Sequence, residues 1–267
     1  MNVLGFSVTK SLGLAGVATV MLCASRTVMA QEVKVTPYRP TVTNSAALSE
    51  PGWLELETGI AAQHDKDGSR QNSLPYLVKF AVTPDFGVLL GGDALVSQVA
   101  ADGTRVSETG DTTLLLKHRL VLDSDTATAL GCEYGFKSPT AATGLGSGKS
   151  DLVLNGIYSK DISGHALDVN LNVTKLGDAM LNESNYQYGW SGTLFRPLDD
   201  KWGLMAEVSG TVRKGVTPQK QWLVATSYEW SSRLVLDAGL SAGIGSASQR
   251  VALFAGMSVL LGQVRQQ

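Results

Sequence analysis

Charge and cysteine are both scarce in this chain of 267 residues. Charged side chains make up 17% of it, against about 25% in an average soluble domain. The 22 basic and 24 acidic residues leave a net charge of −2, so the chain lacks the basic field that attracts nucleic acid. Two cysteines are too few for a disulfide-rich scaffold, and a hydrophobic content of 43% argues against a disordered chain.

Long apolar runs are also rare, and the one that stands out lies near the amino terminus. Residues 1–30 contain no acidic side chain, and Lys10 precedes an apolar stretch over 11–24. Val28 and Ala30 then place small side chains at positions −3 and −1 of a cleavage site. The apolar stretch is shorter than a spanning helix, which needs about 20 residues. We therefore predict a signal peptide over 1–30, cleaved near Ala30.

From about Trp53 onward, apolar and polar residues alternate with the period of two that is typical of β-strands. The alternation is clear from Leu167 to Thr174, where Leu and Val are separated by Asp, Asn and Thr. A tilted membrane strand needs about 9–11 residues, whereas a typical soluble strand has about 5–6, and these runs have the membrane length. About twelve such runs are present, near 53–63, 73–82, 87–99, 111–122, 126–137, 151–159, 166–176, 185–196, 202–213, 221–230, 234–244 and 250–261.

The connectors between these runs are alternately short and mostly longer, which is typical of an outer-membrane barrel with periplasmic turns and extracellular loops. We predict an all-β, membrane-spanning, antiparallel up-and-down β-barrel over 51–262, with its apolar phase facing lipid. Residues 31–50 are predicted to be a periplasmic N-terminal leader and 263–267 a C-terminal tail. A soluble lipocalin-like barrel or sandwich is the alternative, because alternation alone does not distinguish inside from outside. The longer connectors are predicted at 64–72, 100–110, 138–150 and 177–184, with shorter ones at 214–220 and 245–249.

Several short motifs resemble those of a bacterial outer-membrane family named for the meta-pathway of phenol degradation. They are the segments 39–43 (RPTVT), 50–57 (EPGWLELE), 110–120 (GDTTLLLKHRL), 136–140 (FKSPT) and 144–160. The resemblance spans about 39–260 and implies an outer-membrane barrel whose members are often called transporters. By the family name alone, it implies an aromatic or hydrophobic solute. Outer-membrane barrels commonly end in Phe or Trp, whereas this chain ends in Gln267, so the end of the last strand stays open.

If the chain is a barrel, its inward phase carries eight acids and five bases. Lys117 and Arg119 lie on a strand between those of Asp93 and Glu133, which suggests paired charges on neighbouring strands. Such a network either holds the interior together, because unpaired charge there is costly, or forms an ion-selective constriction. The candidate lumen-lining residues are Glu55, Glu57, Lys79, Asp93, Lys117, Arg119, Glu133, Lys137, Asp168, Glu207, Arg213, Glu229 and Asp237.

Other motifs carry little chemistry. Residues 144–150 look like a phosphate loop, but Thr143 stands where its first Gly is needed and a strand follows instead of a helix. Residues 31–37 faintly resemble the energy-coupling box of large receptors, which close about 22 strands. His64, Asp65 and Ser69 could begin a hydrolytic site, although three polar residues in one loop are usually solvated. No cofactor, metal site or enzyme activity is predicted.

The sequence thus predicts an outer-membrane channel or transporter that passes a small solute and prefers cations or neutral molecules, because the inward acids exceed the inward bases. A closed structural barrel without transport is the alternative, since side chains can fill a small barrel. An outer-membrane hydrolase is a third reading. The expected partners are outer-membrane lipid, the assembly machinery of that membrane and an unknown small-molecule solute, but no nucleic acid.

Overall fold

The computed structural model describes residues 32–141, 147–245 and 251–264. The predicted signal peptide, part of the Gly-rich segment 144–150 and the end of the predicted tail lie outside the described residues. No helix within the described ranges is long and apolar enough to cross a membrane.

Within these described ranges, thirteen strands form one antiparallel sheet. They are β1 (Trp53–His64), β2 (Arg70–Thr83), β3 (Phe86–Val99), β4 (Arg105–Glu108), β5 (Thr112–Asp123), β6 (Thr128–Ser138), β7 (Asp151–Ile162), β8 (His165–Lys175), β9 (Tyr186–Pro197), β10 (Trp202–Arg213), β11 (Val216–Ser231), β12 (Leu234–Gly243) and β13 (Val251–Gln263). Twelve of them close into a barrel, because β1 pairs with both β2 and β13 and each later barrel strand pairs with the next. The short β4 pairs with the end of β3 and lies outside this closed ring of strands. The predicted barrel of about twelve strands is confirmed.

The two rims of the barrel differ in their connectors, as the sequence predicts. One rim carries both ends of the barrel and the tight turns, such as that between Ile162 and His165. Ser163 and Gly164 there have positive φ values of 55° and 82°, which matches a type I′ hairpin turn. The opposite rim carries the longer loops. The connector predicted at 214–220 is shorter in the structure than in the prediction. It is a turn of two residues, because β11 already begins at Val216.

The outer face of the barrel is apolar. Leu171, Ile60 and Leu253 are 67%, 64% and 60% exposed, although each lies within a strand. Aromatic side chains lie near both rims on this face, among them Tyr188 near the long-loop rim and Trp230 near the short-turn rim. The inner face carries the opposite phase, in which charged and amide side chains are buried. This inversion of the soluble pattern is that of a barrel whose outside contacts hydrocarbon.

Residues 35–49 run through the inside of the barrel without regular secondary structure, and we call them the luminal segment. Their hydrogen bonds reach inward side chains on opposite walls, from β1 and β2 to β8 and β10. Ala46 is fully buried and Tyr38 is 5% exposed. The prediction of a periplasmic leader over 31–50 therefore does not hold for residues 35–49. They lie inside the barrel because buried side chains of the wall accept and donate hydrogen bonds to their backbone.

Candidate functional site in the barrel lumen

The centre of the lumen is a buried cluster of opposite charges on adjacent strands. The Lys79 Nζ lies 2.6 Å from Glu55 Oε1 and 2.5 Å from Glu57 Oε1. Lys117 Nζ lies 2.9 Å from Glu133 Oε1. The register produces these contacts, because Glu55 pairs with Lys79 on β2 and Lys117 pairs with Glu133 on β6. Side-chain exposure does not exceed 2% for any of the five, so these ion pairs are screened very little by solvent.

The ring of Tyr38 lies between the two buried lysines. The Lys79 and Lys117 Nζ atoms are 3.8 Å and 3.9 Å from its centroid, so the ring faces two cations and both contacts are cation–π interactions. The hydroxyl of Tyr38 donates a hydrogen bond of 2.6 Å to the carbonyl of Ala47. Burial raises the pKa of the Tyr38 phenol well above its ordinary value, and the nearby carboxylates of the wall raise this pKa further. The phenol therefore stays neutral and keeps its donor proton at physiological pH.

The same carboxylates and lysines also hold the backbone of the luminal segment. The Glu57 side chain accepts hydrogen bonds from the backbone N–H groups of Tyr38 and Arg39, at 2.7 Å and 3.0 Å. Lys117 Nζ donates to the carbonyl of Ser45 at 2.6 Å, and Lys79 Nζ donates to the carbonyl of Thr36. The wall charges therefore satisfy one another and the polar groups of an otherwise irregular buried backbone, which would be costly to bury unpaired.

Arg39 connects the luminal segment to β12, which lies two strands from β1 in the closed barrel. Its Nε lies 3.1 Å from Asp237 Oδ2 on β12. The guanidinium lies against Gly59 on β1 and Gly256 on β13, where an added Cβ would overlap Arg39 Nη2. Gly at these two paired positions leaves the space that a long cation needs to reach Asp237. The peptide bond between Arg39 and Pro40 is cis.

Further along the segment, the neutral residues Thr43 and Asn44 form hydrogen bonds with side chains of the wall. The Glu207 carboxylate accepts hydrogen bonds from Thr43 N and Thr43 Oγ1, both at 2.8 Å, and from Thr193 Oγ1 at 2.9 Å. The Asn44 N–H donates to Asn170 Oδ1 at 2.8 Å. Asn44 Nδ2 donates to Glu133 at 2.9 Å and 3.1 Å. This half of the luminal segment is therefore held by hydrogen bonds, whereas the half around Arg39 has an ion pair in addition to its hydrogen bonds.

All thirteen sequence-predicted residues lie on the inward phase, but the structure does not bring them all together. Lys117 does pair with Glu133. The predicted contact of Lys117 and Arg119 with Asp93 is absent from the described residues. Asp93 lies closer to the long-loop rim on β3 and is hydrogen-bonded to Ser73. Arg119 instead reaches Asp85 in a short turn, with Nη2 to Oδ1 at 2.9 Å.

The remaining bases and one of the acids pair near the rims rather than in the centre. Lys137 Nζ lies 2.8 Å from Asp111 and 3.0 Å from Asp151. Arg213 pairs with Glu183 at 3.1 Å near the long-loop rim. Glu229 pairs with Lys34 at 3.5 Å near the other rim. Asp168 lies deeper and accepts a hydrogen bond from Ser159 Oγ, which itself accepts one from the backbone N–H of Ala46 at 2.7 Å.

Neither a catalytic triad nor a metal cluster is assembled in the part of the chain that the structure describes. Ser69 Oγ donates to Asp67 at 2.7 Å and to Asp65 at 3.4 Å. No hydrogen bond joins His64 to Ser69 within the described ranges, so the base that a hydrolytic site needs does not face this hydroxyl. No group of three or more His, Cys, Asp or Glu side chains in the described ranges is arranged to hold a metal ion.

Solved structures of outer-membrane proteins share this fold. An outer membrane channel from Pseudomonas putida F1 superposes with a TM-score of 0.63 over 85% of this chain and 100% of the other, at 13% identity. The KdgM porin matches with a TM-score of 0.53, 11% identity and coverage of 77% and 99%. The CymD monoaromatic hydrocarbon channel matches with a TM-score of 0.51, 12% identity and coverage of 81% and 90%. At these identities the likeness concerns the fold. No family model and no curated protein matches the chain.

Proposed function

We propose that this chain is an outer-membrane channel that passes a small neutral or cationic solute beside its luminal segment. One observation carries the proposal. A cavity of about 180 Å³ separates the luminal segment, at Tyr38 and Thr41, from Leu77 and Pro75 of β2. The segment thus narrows the lumen on this side without filling it. The fold that this chain shares with two outer-membrane channels and the KdgM porin supports the same conclusion.

The charge balance of the central lumen favours cations over anions. Arg119, Lys137 and Arg213 are paired near the rims, so they add little positive charge to the centre. A narrow lumen with walls of low dielectric constant focuses the remaining imbalance. The central carboxylates are Glu55, Glu57, Glu133, Asp168, Glu207 and Asp237, and the cations beside them are Lys79, Lys117 and Arg39.

An apolar row on the inner wall favours a solute with an apolar part. Met205 pairs with Phe195 on one neighbouring strand and with Ala225 on the other. The next two paired positions of this row are Gly239 and Phe254. Met205 and Ala225 are buried, and both phenylalanines pack against their cluster. A small aromatic solute would be accommodated by such a surface, since dispersion and burial of apolar area both favour it.

Single-channel recording in planar bilayers tests the proposal. The Leu77→Trp variant fills the cavity beside the luminal segment and should reduce the conductance several-fold. Leu253→Trp, which adds the same side chain to the lipid-facing wall, should conduct like the wild type. Benzylammonium should block the ionic current transiently, and benzoate should do so much less. A protein without conductance would instead be the closed structural barrel, which the buried luminal segment would then fill.

A further inference from the structure

The outer wall of the barrel carries an apolar groove near the long-loop rim. It encloses about 510 Å³ between β13, β1, β2 and β3, a volume within the range of about 300–1,000 Å³ of ligand pockets. Ala62 and Ala255 are too small to fill the space between the larger side chains. The outward-facing groove residues are chiefly Ile60, Ala62, Leu74, Leu95, Leu253 and Ala255.

A row of basic side chains lies directly above this groove. His64 pairs with Arg70 on β2, Arg70 pairs with Val99 on β3, and Val99 pairs with Arg105 on β4. These positions share the outward phase of Ala62, so the three basic side chains belong to the outer face and not to the lumen. One strand, β3, lies between the two arginines, and two interstrand spacings place their Cα atoms about 10 Å apart. Arg70 and Arg105 are exposed.

The two arginines are available for a ligand. Neither Arg70 nor Arg105 forms an ion pair with any residue in the ranges that the structure describes. The acids nearby are engaged in their own turns. Asp67 accepts hydrogen bonds from the backbone and side chain of Ser69, and Asp102 accepts one from the backbone of Thr104 at 2.8 Å.

We propose that the groove and this basic row bind one molecule of a phosphorylated, multiply acylated glycolipid of the lipid A type. An acyl chain lies in the groove, and a phosphate group is held by the guanidinium groups of Arg70 and Arg105. Guanidinium forks match phosphate geometry with paired hydrogen bonds. A zwitterionic phospholipid supplies the acyl chain but no net negative charge for the two arginines. The inference rests on the proposed outer-membrane location, which turns the long-loop rim outward, but not on conduction.

Titration of the purified, delipidated protein with bisphosphorylated hexa-acyl lipid A in mixed micelles tests this site. Native mass spectrometry counts the bound lipids, and phosphatidylethanolamine serves as the comparison lipid. The wild type should bind lipid A more tightly than phosphatidylethanolamine. The variant Arg70→Gln/Arg105→Gln should bind lipid A about tenfold or more weakly, because two charge-assisted contacts are lost.

The matched control is Lys149→Gln/Lys214→Gln, which removes two exposed charges from the same rim and should bind like the wild type. Ala255→Phe fills the groove and should weaken lipid A binding with both arginines intact. Equal binding of the two lipids by the wild type would overturn the proposal, as would an arginine variant that binds like the lysine control. Lipid binding without conductance would refute the proposed channel function alone, and conductance without lipid A binding would refute this site alone.

Discussion

Arg39 and Asp237 lie 198 positions apart in the chain and form an ion pair inside the barrel, with Nε and Oδ2 3.1 Å apart. The Asp237 side chain is 2% exposed, so its charge depends on the cation that the luminal segment brings. The pair joins a segment without regular structure to a rigid strand of the wall. It therefore helps to hold the luminal segment in the lumen, together with the hydrogen bonds from Glu57 and Glu207.

Arg39→Gln is expected to loosen the luminal segment and raise the single-channel conductance. Removing one partner of a buried ion pair costs about 3–5 kcal/mol, and the segment avoids much of this cost by withdrawing and letting water reach Asp237. Asp85→Asn, which removes the exposed partner of Arg119, is the control and should conduct like the wild type. The double variant Arg39→Gln/Asp237→Asn should be less destabilised than the sum of its single changes. Additive effects in that cycle would contradict the coupling.

Gly256→Ala should reproduce the effect of Arg39→Gln without changing any charge. A Cβ at Gly256 would overlap the Arg39 guanidinium and the carbonyl of Thr58, so the cation could not reach Asp237. Gly262→Ala is the matched control, because no heavy atom of the described residues lies within 4 Å of a Cβ built there. Conductance and thermal unfolding of the two variants provide the measurement. Equal behaviour of both would show that the space beside Gly256 is not needed by Arg39.

The barrel itself could be predicted because its physics is local in sequence. A strand that faces lipid on one side and polar groups on the other must alternate with a period of two, and runs such as Leu167 to Thr174 do so without interruption. The sequence pattern alone leaves the end of the last strand open. The structure continues β13 to Gln263, which pairs with Trp53 and closes the barrel.

The luminal segment could not be predicted, because residues 35–49 have no periodicity and their partners are distant in sequence. One feature of the sequence does indicate that the lumen holds further cations or donors. The inward phase carries an excess of carboxylates, and buried carboxylates need cations or donors. Arg39 and the backbone N–H groups of Tyr38 and Thr43 meet part of that need. The predicted contact between Lys117 and Asp93 was wrong for a different reason. Lys117 pairs with Gly87 on β3, and Asp93 lies six residues further along that strand.

Arg at Leu171 should destabilise the folded barrel by about 2–4 kcal/mol, because this lipid-facing position is 67% exposed and lies in mid-strand. Arg at the adjacent Asn172, which faces the lumen and is half-buried, should cost much less. Asn170 is not a suitable control, since it is 2% exposed and bonded to Asn44. Urea-dependent folding into liposomes measures the difference. Equal losses at the two positions would contradict the assignment of the outer face to lipid.

Lys117→Gln should increase the preference of the pore for cations, whereas Arg119→Gln should leave it nearly unchanged. Lys117 is buried in the centre and compensates Glu133 at 2.9 Å, so its loss frees one negative charge next to Asn44, which lines the cavity. Arg119 compensates Asp85, a side chain 60% exposed at the rim, where salt screens both charges. The shift for Lys117→Gln should shrink with salt, since the Debye length falls from about 10 Å at 0.1 M to about 3 Å at 1 M. Reversal potentials across a KCl gradient measure the selectivity of each variant. A wild type that prefers anions, or an equal shift in both variants, would remove the electrostatic basis of the proposed selectivity.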